Sequence, residues 1–244
     1  MVHLEPVQLV MSPRAFSLPN DIATTEACRT YLKLKGISVS CRELPNAYAV
    51  SPDGLLPVLN IHGRLVSGFM SMCLAIKATK KNPNLELKSE ILQAKNSHHV
   101  FFFWLSDALR NIAIYFSWVN PSGLQRTKYI LQKAFPWPVC NIIFNRQKLA
   151  YEKYMEAIGW LSRETGEIVE EFDRVCSKVS KVLTNDHFVF ERKKPGKIDC
   201  ILCSYFVTFE KYPIFFSPLL GVMSNYPALR QLVTLLERSM LSKI

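Results

Sequence analysis

The stretch from Leu55 to Ile76 constrains the chain most, because it reads as strand, turn, strand and helix in quick succession. Leu56, Val58, Ile61 and Val66 supply the β-branched and aliphatic content of a short buried strand pair. His62-Gly63 between them makes a turn whose glycine can take positive φ. Pro57 has no N–H to give to a ladder, so it belongs at the first residue of a strand, at an edge or in a special peptide geometry. After Ser67 the period changes: Met70, Cys73, Leu74 and Ala78 recur at helical spacing and form one apolar face.

Upstream, Ala15 to Leu18 reads as a short strand, and Asp21 or Thr24 as the cap of a helix with Cys28, Tyr31, Leu32 and Lys35 along one side. Gly36 is then the glycine just past its end. Ile37 to Cys41 alternates apolar and polar residues, as a half-buried strand does. The order is β-α-β, a loop from Leu44 to Gly54 in place of a second helix, then β-β-α, with a right-handed crossover joining the first two strands. This order resembles the thioredoxin-like domain of glutathione S-transferases. The resemblance implies a cis bond before Pro57, whose bend offers the preceding backbone to a ligand.

Beyond Leu85 the strand signals largely stop. Glu86 to Val119 reads as one long or two medium helices with Phe101, Trp104, Leu105, Ala108, Leu109 and Ile112 on one face. Asn120-Pro121-Ser122-Gly123 turns the chain, and Phe135-Pro136-Trp137-Pro138 breaks it, since each proline pushes its predecessor out of the α region. Helix resumes from Val139 or Cys140 to Ile158 and again from about Glu167. Asp199 with Gly196 forms half of a capping box, the hydroxyl half being absent. A last helix opens at Pro227.

The net charge of +10 invites an acidic partner, but the excess is spread: residues 1–85 carry 9 Lys and Arg against 5 Asp and Glu, and residues 86–244 carry 21 against 15. No basic strand interleaved with aromatics and no recognition-helix pattern accompanies it, which argues against nucleic acid. Seven cysteines without secretory spacing point to reduced thiols. Cys200-x-x-Cys203 has no second pair to complete a tetrahedral zinc site, so both read as core residues. The richest apolar regions are interrupted by Asp107 and Arg110, and by Asp199, Glu210 and Lys211, so no membrane span is expected. Neither a signal peptide nor a lipidation motif is read at the ends.

Phe135-Pro136-Trp137-Pro138, the basic helix Arg146-Gln147-Lys148 and the ending Met155-Glu156-Ala157-Ile158-Gly159-Trp160 resemble the metaxin family at this spacing. The match extends to Ser51-Pro52-x-Gly54-x-x-Pro57 and to Ile198-Asp199, and so covers nearly the whole chain. The resemblance implies a glutathione-transferase-like architecture and a place in the sorting and assembly machinery for β-barrel proteins. The site implied is the cytosolic face of the mitochondrial outer membrane, held peripherally through a membrane-anchored partner of the metaxin 1 kind. An adaptor role in mitochondrial transport along microtubules is the other role it implies. Trp137 and Trp160 themselves read as core or inter-helix packing, with partner contact as the alternative.

A glutathione transferase needs a Tyr, Ser or Cys near the end of the first strand to stabilise the thiolate, and an acidic-Ser pair after the hairpin to hold the γ-glutamyl group. Leu18 to Ala23 offers no Tyr or Cys, and only Ser17 or Thr24 lies near; Gly68-Phe69 stands where the acidic-Ser pair belongs. A divergent transferase using Ser17 or Thr24 is the enzyme alternative. His98-His99 and Asp186-His187 belong to no recognisable catalytic or metal motif. The expectation is an α+β chain: an irregular arm over 1–14, a thioredoxin-like domain over 15–81 and an all-α glutathione-transferase-type domain over 85–244. It is expected to be non-catalytic, with no catalytic, cofactor-binding or metal residues and no cofactor.

Overall fold

The computed structural model describes residues 7–81, 97–183, 188–190 and 192–241. Four short strands form one mixed sheet in the order β2-β1-β3-β4: β1 (Gln8–Met11), β2 (Ser40–Glu43), β3 (Val58–Ile61) and β4 (Arg64–Ser67). β1 runs parallel to β2, while β1–β3 and β3–β4 are antiparallel, with Leu9 opposite both Cys41 and Leu59. The sheet buries two sets of side chains on its two faces, as a period of two requires. Leu9 and Leu59 join the main core, whereas Val10 and Val58 pack with Ala47 and Leu56 in a small second cluster.

The first strand therefore lies inside the segment read as an irregular arm, and Arg14–Phe16, read as a strand, is a turn of 3-10 helix. Pro13 blocks a strand there, while Leu9 and Val10 supply the alternation that four residues need. β2 also starts three residues later and ends two later than Ile37 to Cys41, and all four of its residues are exposed at the sheet edge. Ile37 and Val39 are half buried just before the strand.

Helix α1 (Pro19–Leu34) begins at a proline, with extended Leu18 as its cap in place of Asp21 or Thr24, and ends at Gly36 with φ +67°. A 3-10 turn, Ala47–Val50, is all that stands for a second helix. The Leu56-Pro57 bond is cis. Helix α2 (Phe69–Lys81) closes this half, burying Phe69, Met72, Cys73 and Ile76. Lys80 to Asn84 reads in the sequence as a linker, but Lys80 and Lys81 are the last residues of α2; 82–84 lie outside the described residues, as do 86–96 of the next predicted helix.

The rest is helical: α3 (Ser97–Ile114) runs into a π-helical turn, Tyr115–Val119, and α4 (Pro121–Ala134), α5 (Val139–Ala157) and α6 (Thr165–Ser180) follow. α7 (Lys197–Lys211), α8 (Pro213–Ser224) and α9 (Pro227–Leu241) complete the described chain. Asn120 caps α4, its Oδ1 accepting from the N–H of Ser122 and Gly123 at 3.1 and 3.2 Å. Gly123 sits against the wide turn: a Cβ there would stand 1.6 Å from the carbonyl oxygen of Phe116.

α7 is the central helix, burying eleven of its residues and packing along α1. Its start is held by Asp199, whose carboxylate accepts from the N–H of Val189 (2.9 Å), the N–H of Gly196 (2.7 Å) and Arg192 Nη2 (2.8 Å). The missing hydroxyl of the box is not replaced; instead a guanidinium donates to the carboxylate and occupies the space beside Gly196, where a Cβ would meet Arg192 Nη1 at 2.4 Å. Burial pushes the Asp199 carboxyl upward, and those three donors oppose the push.

Candidate functional site

Two places bear on function: the position where a transferase would bind its thiol, and the outward corner around Trp137. At the first, the elements are arranged as the resemblance implies, with the N-terminus of α1 facing the cis Leu56-Pro57 bond. The Thr24 hydroxyl does not face an open site. Its Oγ1 lies 3.1 Å from the carbonyl of Leu56 and 2.9 Å from that of Asn20, and it has one proton to share between acceptors. The carbonyl before the cis bond thus has a hydroxyl of the chain itself within hydrogen-bond distance. Leu56 is buried as well.

Ser17 is committed in the same way, its hydroxyl lying 3.0 Å from the carbonyl of Pro13 and 3.2 Å from that of Ser12. Ser12, just past the true first strand, is a hydroxyl that the misplaced strand hid from view; it is buried. Phe69 lies edge-on to both Tyr31 and Phe102, with ring centroids 5.9 Å apart in each case, so it seals the contact between the two halves of the fold.

Aromatic side chains fill what space remains. Tyr48, from the 3-10 turn, donates to the Asp21 carboxylate in the first turn of α1. Trp118 and Tyr151 stack at 5.0 Å alongside, and the gap among Leu18, Asp21, Tyr48, Trp118 and Tyr151 has no volume for even one water. Burial pushes the Asp21 carboxyl up to about 6 against the lowering effect of Tyr48, Asn20, the Leu18 backbone and Arg110. The neighbouring phenols of Tyr48 and Tyr151 are pushed up too, mainly by burial. Such a site holds protons and excludes solvent; it presents no poised donor to an incoming sulfur.

The other motifs of the sequence remain apart. Cys200 and Cys203 are buried, with thiols pushed well above their ordinary range by burial. No group of three or more His, Cys, Asp or Glu that could hold a metal occurs among the described residues. His98 stacks on Phe190 at 4.0 Å, while His99 Nδ1 lies 3.5 Å from Lys197 Nζ; Asp186 and His187 lie outside the described residues. A groove of about 870 Å³ runs between α1, β2, α7 and α9, lined by Ile22, Lys33, Val39, Val207 and Leu236 among others. Neither Ser17, Thr24 nor Phe69 reaches it.

At the corner between α4 and α5, the Trp137-Pro138 bond is also cis and Trp137 is 79% exposed. This overturns the packing expected of Trp137, whereas Trp160 is buried as expected. Val139, Ile142 and Leu149 on α5 are exposed too. Apolar periodicity reveals which face of a helix can be buried, but leaves hidden which large side chains remain outside.

A family model described as the glutathione S-transferase N-terminal domain matches residues 24–123. Metaxin-2 of Homo sapiens is 24% identical over 194 residues, covering 78% of this chain and 72% of its own. The Metaxin-2 homolog of Caenorhabditis elegans is 22% identical over 194 residues, covering 79% and 82%. A glutathione S-transferase of Ceriporiopsis subvermispora, solved in complex with glutathione, superposes with a TM-score of 0.57 at 16% identity over 96% of this chain and 98% of that one. The fold is that of the glutathione S-transferases. In sequence the chain is similar to metaxin-2, at 22 to 24% identity.

Proposed function

We propose that this chain is a non-catalytic subunit at the cytosolic face of the mitochondrial outer membrane, working in the machinery that inserts β-barrel proteins and held there by a membrane-anchored metaxin partner. The observation that supports the non-catalytic part is that the two hydroxyls near the start of α1, Ser17 and Thr24, both lie against backbone carbonyls of the chain itself, Thr24 Oγ1 being 2.9 Å from that of Asn20 and 3.1 Å from that of Leu56. The assembly role rests on the similarity to metaxin-2, and an anchored partner fits a chain in which no described helix is long and apolar enough to cross a membrane.

Glutathione-agarose should fail to retain the protein, and conjugation of an electrophilic substrate should not rise above the uncatalysed rate. Retention together with measurable conjugation would overturn the reading. Depleting the protein should impair β-barrel assembly in isolated mitochondria; a motility defect with normal assembly would instead assign the transport role. Removing the anchored partner should release the chain from the membrane. Replacing Lys193 and Lys194 with Gln should not, because exposed cations alone give only salt-screened adhesion.

A further inference from the structure

We propose that the start of α5 and the corner before it form a surface that lies on an anionic lipid bilayer. Five of the large apolar side chains that stand exposed are concentrated between residues 129 and 149: Tyr129 (44%), Trp137 (79%), Val139 (42%), Ile142 (64%) and Leu149 (54%). Ile142, Arg146, Leu149 and Lys153 are spaced four, three and four apart, so they fall on one line along the outer face of α5. Arg146 and Lys153 are both exposed. Apolar and cationic side chains thus alternate along a single stripe, with the tryptophan at its N-terminal end.

Charge decides what covers this stripe. Between residues 126 and 153 there are six Lys and Arg against one acidic residue, Glu152, and that one is engaged by Lys148 at 3.2 Å. The hairpin therefore presents net positive charge around its apolar side chains. The stripe ends at Glu156, whose exposed carboxylate would face phosphate unfavourably, which limits the contact to the corner and α5 as far as Lys153. Tryptophan belongs at the depth of lipid headgroups, where its ring meets acyl chain on one side and water on the other. An apolar line edged by Arg and Lys is the pattern of helices that rest in the plane of a bilayer. None of these residues lines the 870 Å³ groove, so the surface has no concavity built for a peptide side chain.

Such contact is weak and reversible by itself, and stable residence takes a second attachment. The surface would orient a chain already tethered through a partner. It rests on that reading only for which membrane is met, and binding to vesicles needs neither mitochondria nor a partner.

The purified chain should float with vesicles of phosphatidylcholine containing 30% cardiolipin, or 30% phosphatidylserine, and not with phosphatidylcholine alone. The bound fraction should fall as salt rises from 50 to 300 mM. The triple change Trp137→Ser, Ile142→Ser, Leu149→Ser should lower partition by about tenfold or more. The double change Arg146→Gln, Lys153→Gln should lower it severalfold and flatten the salt dependence. Because all five side chains are exposed, circular dichroism should be unchanged. Binding to cardiolipin vesicles alone would mark one headgroup; equal binding to both anionic lipids would mark charge density, and either outcome supports the surface. No flotation with anionic vesicles, or flotation unchanged in the triple variant, would overturn it. So would loss of partner co-purification in that variant with vesicle binding intact.

Discussion

At the scale of single residues, two buried carboxylates carry opposite lessons. Asp21 is pushed up to about 6 from an ordinary value of 3.8, mainly by burial. Its folded value lies above its unfolded one, so the folded chain binds a proton more tightly. Asp21 therefore supports folding below about pH 4, and this support is lost as pH rises from there through about 6. Above that window its charge costs on the order of 3 kcal/mol relative to acid conditions. Asp21→Asn should accordingly raise the urea midpoint at pH 8, by about 1–2 kcal/mol after the weakened Tyr48 hydrogen bond is counted, and give no gain at pH 4. Equal effects at the two pH values would refute this.

Asp199 is the reverse case, a carboxylate fully supplied with donors. Arg192→Gln should destabilise the fold by about 2 kcal/mol, because it strips the one cation from a buried charge that keeps two backbone partners. Lys193→Gln and Lys194→Gln beside it should change the midpoint by less than about 0.5 kcal/mol. In the sequence Arg192 stands beside Lys193 and Lys194 and is indistinguishable from them as a surface cation. Asp199 and Gly196 were legible as half a cap, but nothing in the spacing shows that an arginine four residues before the glycine folds back to complete it.

At the scale of elements, the hairpin and the helix after it were legible to within a residue or two, because Pro57, the His62-Gly63 turn and the change of period fix them together. The first strand was not. A four-residue strand carries only two inward side chains, Leu9 and Val10 here serving opposite faces, and Ala15 to Leu18 offers as good a pattern until Pro13 is placed. The Asn120 turn was visible, yet the π-helical widening before it was not, since it depends on contacts across α4. Thr127 Oγ1 donates to the carbonyl of Ser117 at 2.8 Å, and Gly123 lies close beneath Phe116. Gly123→Ala should therefore cost about 3 kcal/mol or prevent folding, as a Cβ has no room beside backbone. Gly166→Ala, with nothing within 4 Å of its Cβ, should be neutral or stabilise by up to about 1 kcal/mol, and thermal unfolding of the pair separates the two.

At the scale of the whole molecule, the two halves share one apolar core, which includes Leu9 and Leu59 from the sheet and Phe102, Phe172 and Phe209 from the helices. Tyr205 of α7 reaches Asn20 at the start of α1 with a 2.6 Å hydrogen bond. Tyr205→Phe should cost about 1–2 kcal/mol and leave a single unfolding transition, because it loosens a junction without separating two independent cores. The order of domains was legible from sequence because strand signals end where helical periodicity takes over. The filled thiol position was legible only by its missing groups: the absence of Tyr and Cys could be read directly, but Tyr48, Trp118 and Tyr151 come from three separate segments that only the fold brings together.

The Thr24 hydroxyl on the Leu56 carbonyl also bears on how such a chain behaves inside a cell. A protein whose folded form binds a small molecule gains stability in proportion to the logarithm of that molecule's concentration, and so registers changes in its supply. Here the Leu56 carbonyl has a hydroxyl of the same chain beside it, whose effective concentration never varies. The melting temperature should be unmoved by millimolar glutathione, reduced or oxidised. On the function proposed above, the chain keeps the fold of a transferase while its stability is uncoupled from the supply of glutathione, so a change in that supply leaves the surfaces it offers unchanged.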